Sequence, residues 1–350
     1  MSAAAVPGDP ATSGAVREPR RRPPDRSHVP HAGWRVVAAK ELGDHLLSVR
    51  FIVLLVVLGL AAAIPLYFAA DVIRGIAPQA SGVPAVFLAL FTLGSQDYTF
   101  LRVDSFVTIV APLLGLAFAF DAINGERSEG TLPRLLAQPI YRDDVINGKF
   151  AAGLAVIGVV LVAVVGIIAG FGIFRLGITP ASEEILRLIV WIFVTFIYVG
   201  LWLAFGLLLS VLIRRAATSA LIGFGVWFLM TTFGPLLLDI AAKAVSPIVG
   251  TTIDEQIGQA QTQQLINRLL PGELYAEVTA VVLNPRSNPE ATLPGSLGQF
   301  QQSQQIIPDT VLSINQSLLL VWPQIVALVA ITVLCFGAAY VAFMRQEVRA

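Results

Sequence analysis

The sequence predicts an all-α membrane protein that crosses a bilayer six times, and three observations carry that prediction. Hydrophobic residues make up 56% of the chain and charged residues 13%, against roughly 45–50% and about 25% in soluble domains. Six apolar runs reach the roughly 20 residues that a helix needs to cross a hydrocarbon core of about 30 Å. They are Phe51–Ala70, Asp104–Ile123, Phe150–Phe171, Ile185–Leu209, Ser219–Ile240 and Leu318–Phe343. Finally, the central third of every run is free of Asp, Glu, Lys, Arg and His.

Residues 1–33 are rich in Pro, Ala, Gly and Arg and cannot bury enough apolar surface to fold, so they read as a disordered tail. No apolar core follows Arg20-Arg21-Arg22 closely, which argues against a signal peptide. His28 and His31 have metal-pair spacing but no cysteine or carboxylate cluster near them, and no metal site is expected. Residues 34–350 form the six-helix domain. Within it, residues 34–50 read as an interfacial elbow helix: Trp34, Val37, Ala38, Leu42, Leu46 and Val49 step at helical intervals, with Arg35, Lys40, Glu41 and Asp44 on other faces. Val83–Leu93 is too short to span and reads as a re-entrant or surface helix.

Residues 126–149, ERSEGTLPRLLAQPIYRDDVINGK, are a charged insert between the second and third runs. Leu132, Leu135, Leu136, Pro139 and Ile140 share one helical face. Thr131 and Pro133 suit a cap and a first turn, and Pro139 ends that short helix. A second helix opens at Tyr141-Arg142-Asp143-Asp144, its acids placed at the positive end of the helix dipole.

The fifth run contains Gly234-Pro235, where a kink or break is expected, and the sixth holds Trp322-Pro323 near its start, suited to an interfacial anchor and a first-turn proline. Gly166-x-x-x-Gly170, Gly200, Gly206, Gly223 and Gly225 suit close helix packing. Cys335 lies in an apolar run and, as the single cysteine, has no internal partner. Residues 241–317 form one large connection. It holds a glutamine-rich helix (residues 252–270), a second amphipathic helix (Glu273–Leu283) and a Pro, Gly, Ser and Gln-rich stretch (284–305).

Basic residues orient the chain. With the N-terminus inside, the cytoplasmic segments hold 16 of the 23 lysines and arginines and the opposite loops hold 7. Both termini and the 126–149 insert are therefore expected in the cytoplasm, and 241–317 outside. The zero net charge implies no nucleic-acid partner.

An ion-driven pump needs ionisable groups within the bilayer, and the spans supply none. Gly148-Lys149 is followed by Phe150, and position 143 is Asp, so no P-loop is present and the chain is not expected to bind ATP. No His-Glu-x-x-His and no Gly-x-Ser-x-Gly occurs, and no enzyme activity is expected. No cofactor is expected on the chain itself.

Glu126, Gly130, Thr131, Leu132, Leu135, Leu136, Pro139, Arg142, Gly148 and Lys149 resemble the E…GTL..LL..P..R……GK pattern of type-2 ABC transporter permeases. That family includes the permease group of nitrous oxide reductase maturation. Lys40-Glu41-Leu42 is similar to the Lys-Glu-Leu of the family's elbow, while Pro133 departs from the pattern. The resemblance implies a six-helix permease subunit in the cell membrane, paired with itself or a related permease. Glu126–Lys149 would couple it to a separate cytoplasmic ATPase that holds ATP and Mg. Leu132, Leu135 and Leu136 would form its apolar face, packed against the elbow, the ATPase or the membrane, and Glu126, Glu129, Arg134 and Arg142 would set the polar contacts. Export is the expected direction. The alternative is a permease-like structural or signalling protein that passes ATPase motion to an extracytoplasmic partner at 241–317 without carrying substrate.

Overall fold

A computed structural model describes residues 33–76, 86–93, 102–133, 140–245, 253–285 and 312–346. The predicted tail therefore lies outside the described residues, apart from Gly33. Among the described residues there is no strand.

Each apolar run is helical. In chain order the helices are α1 (Gly33–Leu46), α2 (Val49–Ile76), α3 (Ala89–Thr92), α4 (Val103–Ala119) and α5 (Asn124–Ser128). There follow α6 (Arg142–Leu176), α7 (Ser182–Leu212), α8 (Ala216–Phe228), α9 (Gly234–Val245), α10 (Ile253–Asn267), α11 (Pro271–Leu283) and α12 (Ile314–Arg345). Six stretches are long and apolar enough to cross a membrane: Val49–Asp71, Val103–Ser128, Arg142–Leu176, Ser182–Leu212, Ala216–Val245 and Ile314–Arg345. The protein is multi-pass. At 35 residues, α6 is about 52 Å long, so several of its turns stand outside a hydrocarbon core of about 30 Å.

Local signals account for the helix ends. Ser48 accepts the Phe51 N–H at 3.2 Å and caps α2. Ser313 caps α12 by accepting the Gln316 N–H at 3.4 Å. Gly177, at φ 70°, closes α6 in the left-handed conformation. α7 is the most buried span and the hub of the core, with α4, α6, α11 and α12 packed around it.

Two prolines differ from expectation in instructive ways. Gly234-Pro235 does not break the fifth span. A π-helical turn, Leu229–Phe233, precedes it and carries the helix on into α9. Such a turn absorbs the missing N–H and the ring's clash with the preceding turn. Pro323 is not in a first turn, because α12 starts nine residues earlier at Ile314; it lies inside the helix.

The connections are more deeply built in than their sequences suggest. Phe87, Leu88, Leu90 and Phe91 are all at most 1% exposed, so this segment is a plug within the bundle and not a surface helix. The second loop helix, α11, is buried along its length through Leu274, Tyr275, Val278, Val281, Val282 and Leu283. The Tyr275 ring stacks on that of Tyr198 at 4.4 Å, and its hydroxyl lies 2.8 Å from Thr195 Oγ1. Because Tyr198 is one residue past the midpoint of α7, α11 descends to mid-bundle. It thereby carries Glu273 and Glu277 inward, although the spans themselves hold no central charge. Uncharged spans alone therefore do not exclude ion coupling. Gly166, Gly170 and Gly225 face open space rather than a packed neighbour, whereas Gly206 approaches Ala119 closely.

Alternating helix directions put α1, α5 and the end of α12 together at one end of the bundle. There Arg127 bonds the side chain of Gln346, whose amide donates to the Val211 carbonyl at 2.7 Å. α11 enters from the opposite end.

Candidate functional site

The site grows from the way α1 lies across the first turns of α6. Gly148 lets the two helices touch. A Cβ there would come within 2.6 Å of Val37 Cβ and 2.8 Å of the Trp34 carbonyl oxygen. Asp144, in the first turn of α6, uses both carboxylate oxygens. One accepts the Tyr141 N–H at 3.2 Å at the start of its own helix, and the other accepts the Trp34 N–H at 2.9 Å at the start of α1. One carboxylate thus satisfies orphan donors of two helices.

The next residue after Gly148 is Lys149, whose side chain is only 4% exposed. Its Nζ lies 2.8 Å from Glu126 Oε1 and 3.1 Å from Glu41 Oε2. Three elements, α1, α5 and α6, therefore meet on one ammonium. The exposed pair Lys40–Asp44, 61% and 63% exposed at 2.9 Å, contributes at most about 1 kcal/mol. Breaking a buried pair such as Lys149–Glu126 costs about 3–5 kcal/mol, because the remaining charge is stranded. Burial pushes the Glu41 carboxyl upward, but the Lys149 and Lys40 ammoniums outweigh this and hold it below the ordinary glutamate value. His45, one turn on and edge-to-face with Phe118 at 5.3 Å, is pushed below the ordinary histidine value, chiefly by burial.

α5 is fixed from the other side. Ser210 Oγ of α7 accepts the N–H groups of Ile123 at 2.9 Å and Asn124 at 3.2 Å. The Asn124 amide donates to the Ile213 carbonyl at 3.2 Å. Gly130, at φ 68°, then turns the chain out of α5, a conformation that suits glycine. Thr131 N–H closes that turn onto the Glu126 carbonyl at 2.9 Å.

A sequence profile described as "ABC-2 family transporter protein" matches residues 35–348. The chain belongs to the ABC-2 transporter family. It is 32% identical over 146 residues to the "Probable ABC transporter permease protein NosY" of Stutzerimonas stutzeri, covering 40% of this chain and 51% of that protein. The protein of the same name in Pseudomonas aeruginosa is 31% identical over 157 residues, covering 43% and 54%. The chain thus spans about half the length of the curated relatives it matches.

In this ABC-2 protein the predicted residues take different places. Glu126, Lys149 and Glu41 are brought together in the buried network. Glu41 corrects the sequence reading, which put it on a face away from the apolar residues. It is on the α1 face buried against α6, together with Gly33 and Val37, while Trp34 is 38% exposed. Gly130 and Thr131 form the turn, and Leu132 behind it is 1% exposed. Leu42 packs half-buried against the core. Lys40 points outward to Asp44 and Glu41, and Arg142 opens α6 half-exposed. Arg134, Leu135, Leu136 and Pro139 lie outside the described residues.

The sequence reading missed Arg187 at the far end. It is 1% exposed and ties α7 to the large connection. It donates to the Val282 carbonyl at 3.1 Å, Ser317 Oγ at 3.2 Å and Glu183 at 2.9 Å, and also to the Leu312 carbonyl. An arginine two residues inside an apolar run was the available signal.

Proposed function

We propose that this chain is the membrane-spanning permease subunit of an ABC transporter, working with a separate cytoplasmic ATPase. The observation that carries the reading is the Glu41–Lys149–Glu126 network. It clamps both ends of the 126–149 insert to α1 and the bundle, so a push on the insert is delivered to α4 and α6 as a rigid-body displacement rather than lost in a loop. The family membership and the permease name of the relatives support it. The insert, both chain termini and the basic residues face the cytoplasm of a cell membrane in this reading. ATP and Mg reside on the partner, and two permease subunits pair around an exporting path. Leu135 and Leu136 supply the apolar docking face, with Leu132 buried behind the Gly130 turn as its support. Replacing Leu135 and Leu136 by Asp should abolish co-purification of the ATPase while the permease remains folded. Undiminished ATPase recovery would refute the docking role.

A second reading has the same ATPase drive an extracytoplasmic partner through 241–317 with no cargo. The burial of α11 and its Arg187 tie favour it, because a force on α11 would pass directly to α7 and α12. Replacing residues 286–311 with a short linker leaves those ties in place. Under the transport reading, cargo-stimulated ATP hydrolysis in liposomes survives that change; under the second, no cargo stimulates hydrolysis and partner binding is lost.

A further inference from the structure

Two of the helices that carry an acid in the first turn use it to close the helix start. Asp144 reaches back to the Tyr141 N–H, and Glu184 reaches back to the Ala181 N–H at 2.7 Å while also accepting the Phe87 N–H at 2.9 Å. Glu273, in the first turn of α11, makes no such capping bond. Glu273 instead lines a pocket of about 190 Å³ between α11, α4, α7 and the π-helical turn. Among the described residues, no lysine, arginine or histidine pairs with it. The nearby cation Arg268 is engaged by Glu277 at 2.9 Å.

The other walls are Thr108, Tyr198, Trp202, Met230 and Leu270. Tyr198 is near the midpoint of its span, as is Met230, so the pocket lies at mid-bundle depth. The indole N–H of Trp202 is buried, at 3% residue exposure, and is engaged only weakly, by the Tyr198 hydroxyl. A carboxylate without a cationic partner beside a weakly engaged donor in one cavity is expensive in a structural role. The volume is below the roughly 300–1,000 Å³ of drug-sized sites, which admits a small molecule and not a lipid.

We propose that this pocket binds a small organic ammonium cation, with Glu273 as its counter-charge and Tyr198 and Trp202 as its aromatic walls. A carboxylate beside two aromatic rings is the chemistry that holds such a cation, through a charge-assisted hydrogen bond and cation–π attraction. The ligand needs an acceptor as well as an ammonium if it is also to satisfy Trp202. The site belongs to one protomer and does not rest on the ATPase-docking reading.

The test uses the full chain in nanodiscs and three isosteric probes: benzylamine as its cation, benzyl alcohol and benzoate. The expected result is saturable benzylammonium binding, with the neutral and anionic probes at least about tenfold weaker, the scale of one charge-assisted bond. Glu273→Gln should weaken benzylammonium by a similar factor. Ala276→Leu fills the pocket from the α11 wall without touching the carboxylate, and should abolish binding. Absence of saturable benzylammonium binding to the unmodified chain, meaning a pocket that holds only water, would overturn the proposal. So would equal binding of the three probes, or binding unchanged in either variant.

Discussion

The two ends of the bundle are each fastened by one buried cation, and they are fastened differently. At the α1 end, Lys149 is shared between carboxylates on two other elements, Glu41 and Glu126. At the α11 end, the flat fork of Arg187 spreads over two backbone carbonyls, a hydroxyl and a half-exposed glutamate. Charge on charge depends on the protonation of every partner. Backbone carbonyls do not titrate, so the Arg187 joint is the more permanent of the two. The comparison teaches that the end proposed to receive the ATPase is built to respond, and the far end is built to hold.

The largest effect expected is at the permanent joint. Arg187→Met orphans the carbonyls of Val282 and Leu312 and should remove about 3–5 kcal/mol of stability, read as a lowered unfolding transition in detergent. Arg187→Lys should recover only part of it, because an ammonium cannot reproduce the planar fork. Full recovery by lysine would erase the distinction between the two ends. Lys149→Met should cost about 3 kcal/mol and release α1. Its sharper feature is that the added pair Glu41→Gln and Glu126→Gln should restore much of the loss, since the fault is stranded charge.

Gly148→Val should cost about 1–3 kcal/mol by forcing α1 off α6, read as faster proteolysis within α1. A smaller effect separates the ends by pH. Glu41 and His45 both have lowered values in the fold. The stability each contributes is therefore complete above its ordinary value, about 6.5 for His and about 4.3 for Glu, and is lost as pH falls through its folded value. Acidification should loosen α1 first through His45 and then through Glu41, while the carbonyl and hydroxyl bonds of Arg187 persist. An α1 release profile unchanged by His45→Gln would break that account. Smallest of all, Lys40→Ala should change stability by no more than about 1 kcal/mol.

The fold class was legible because six long apolar runs with uncharged centres admit few other solutions in water or lipid. The motif residues Glu126, Gly130, Gly148 and Lys149 were legible as a pattern. Their meeting with Glu41 was not, because a contact across 108 residues leaves no trace in local periodicity. Glu41 looked solvent-facing for the same reason: a buried glutamate is readable only once its lysine is known. Arg187 was missed because two of its partners are carbonyls, which carry no sequence signature. α11 had a signal that went unused. Leu274, Tyr275, Val278, Val281, Val282 and Leu283 make a stripe too wide for a helix lying on a surface.

The central claim, that the insert is the receiving face for an ATPase, is tested most directly by a photo-crosslinking residue placed at Leu135 in native membranes. The account predicts a covalent adduct with a cytoplasmic ATP-binding cassette ATPase. Adducts formed only with lipid, or with a protein on the opposite side of the membrane, would contradict it.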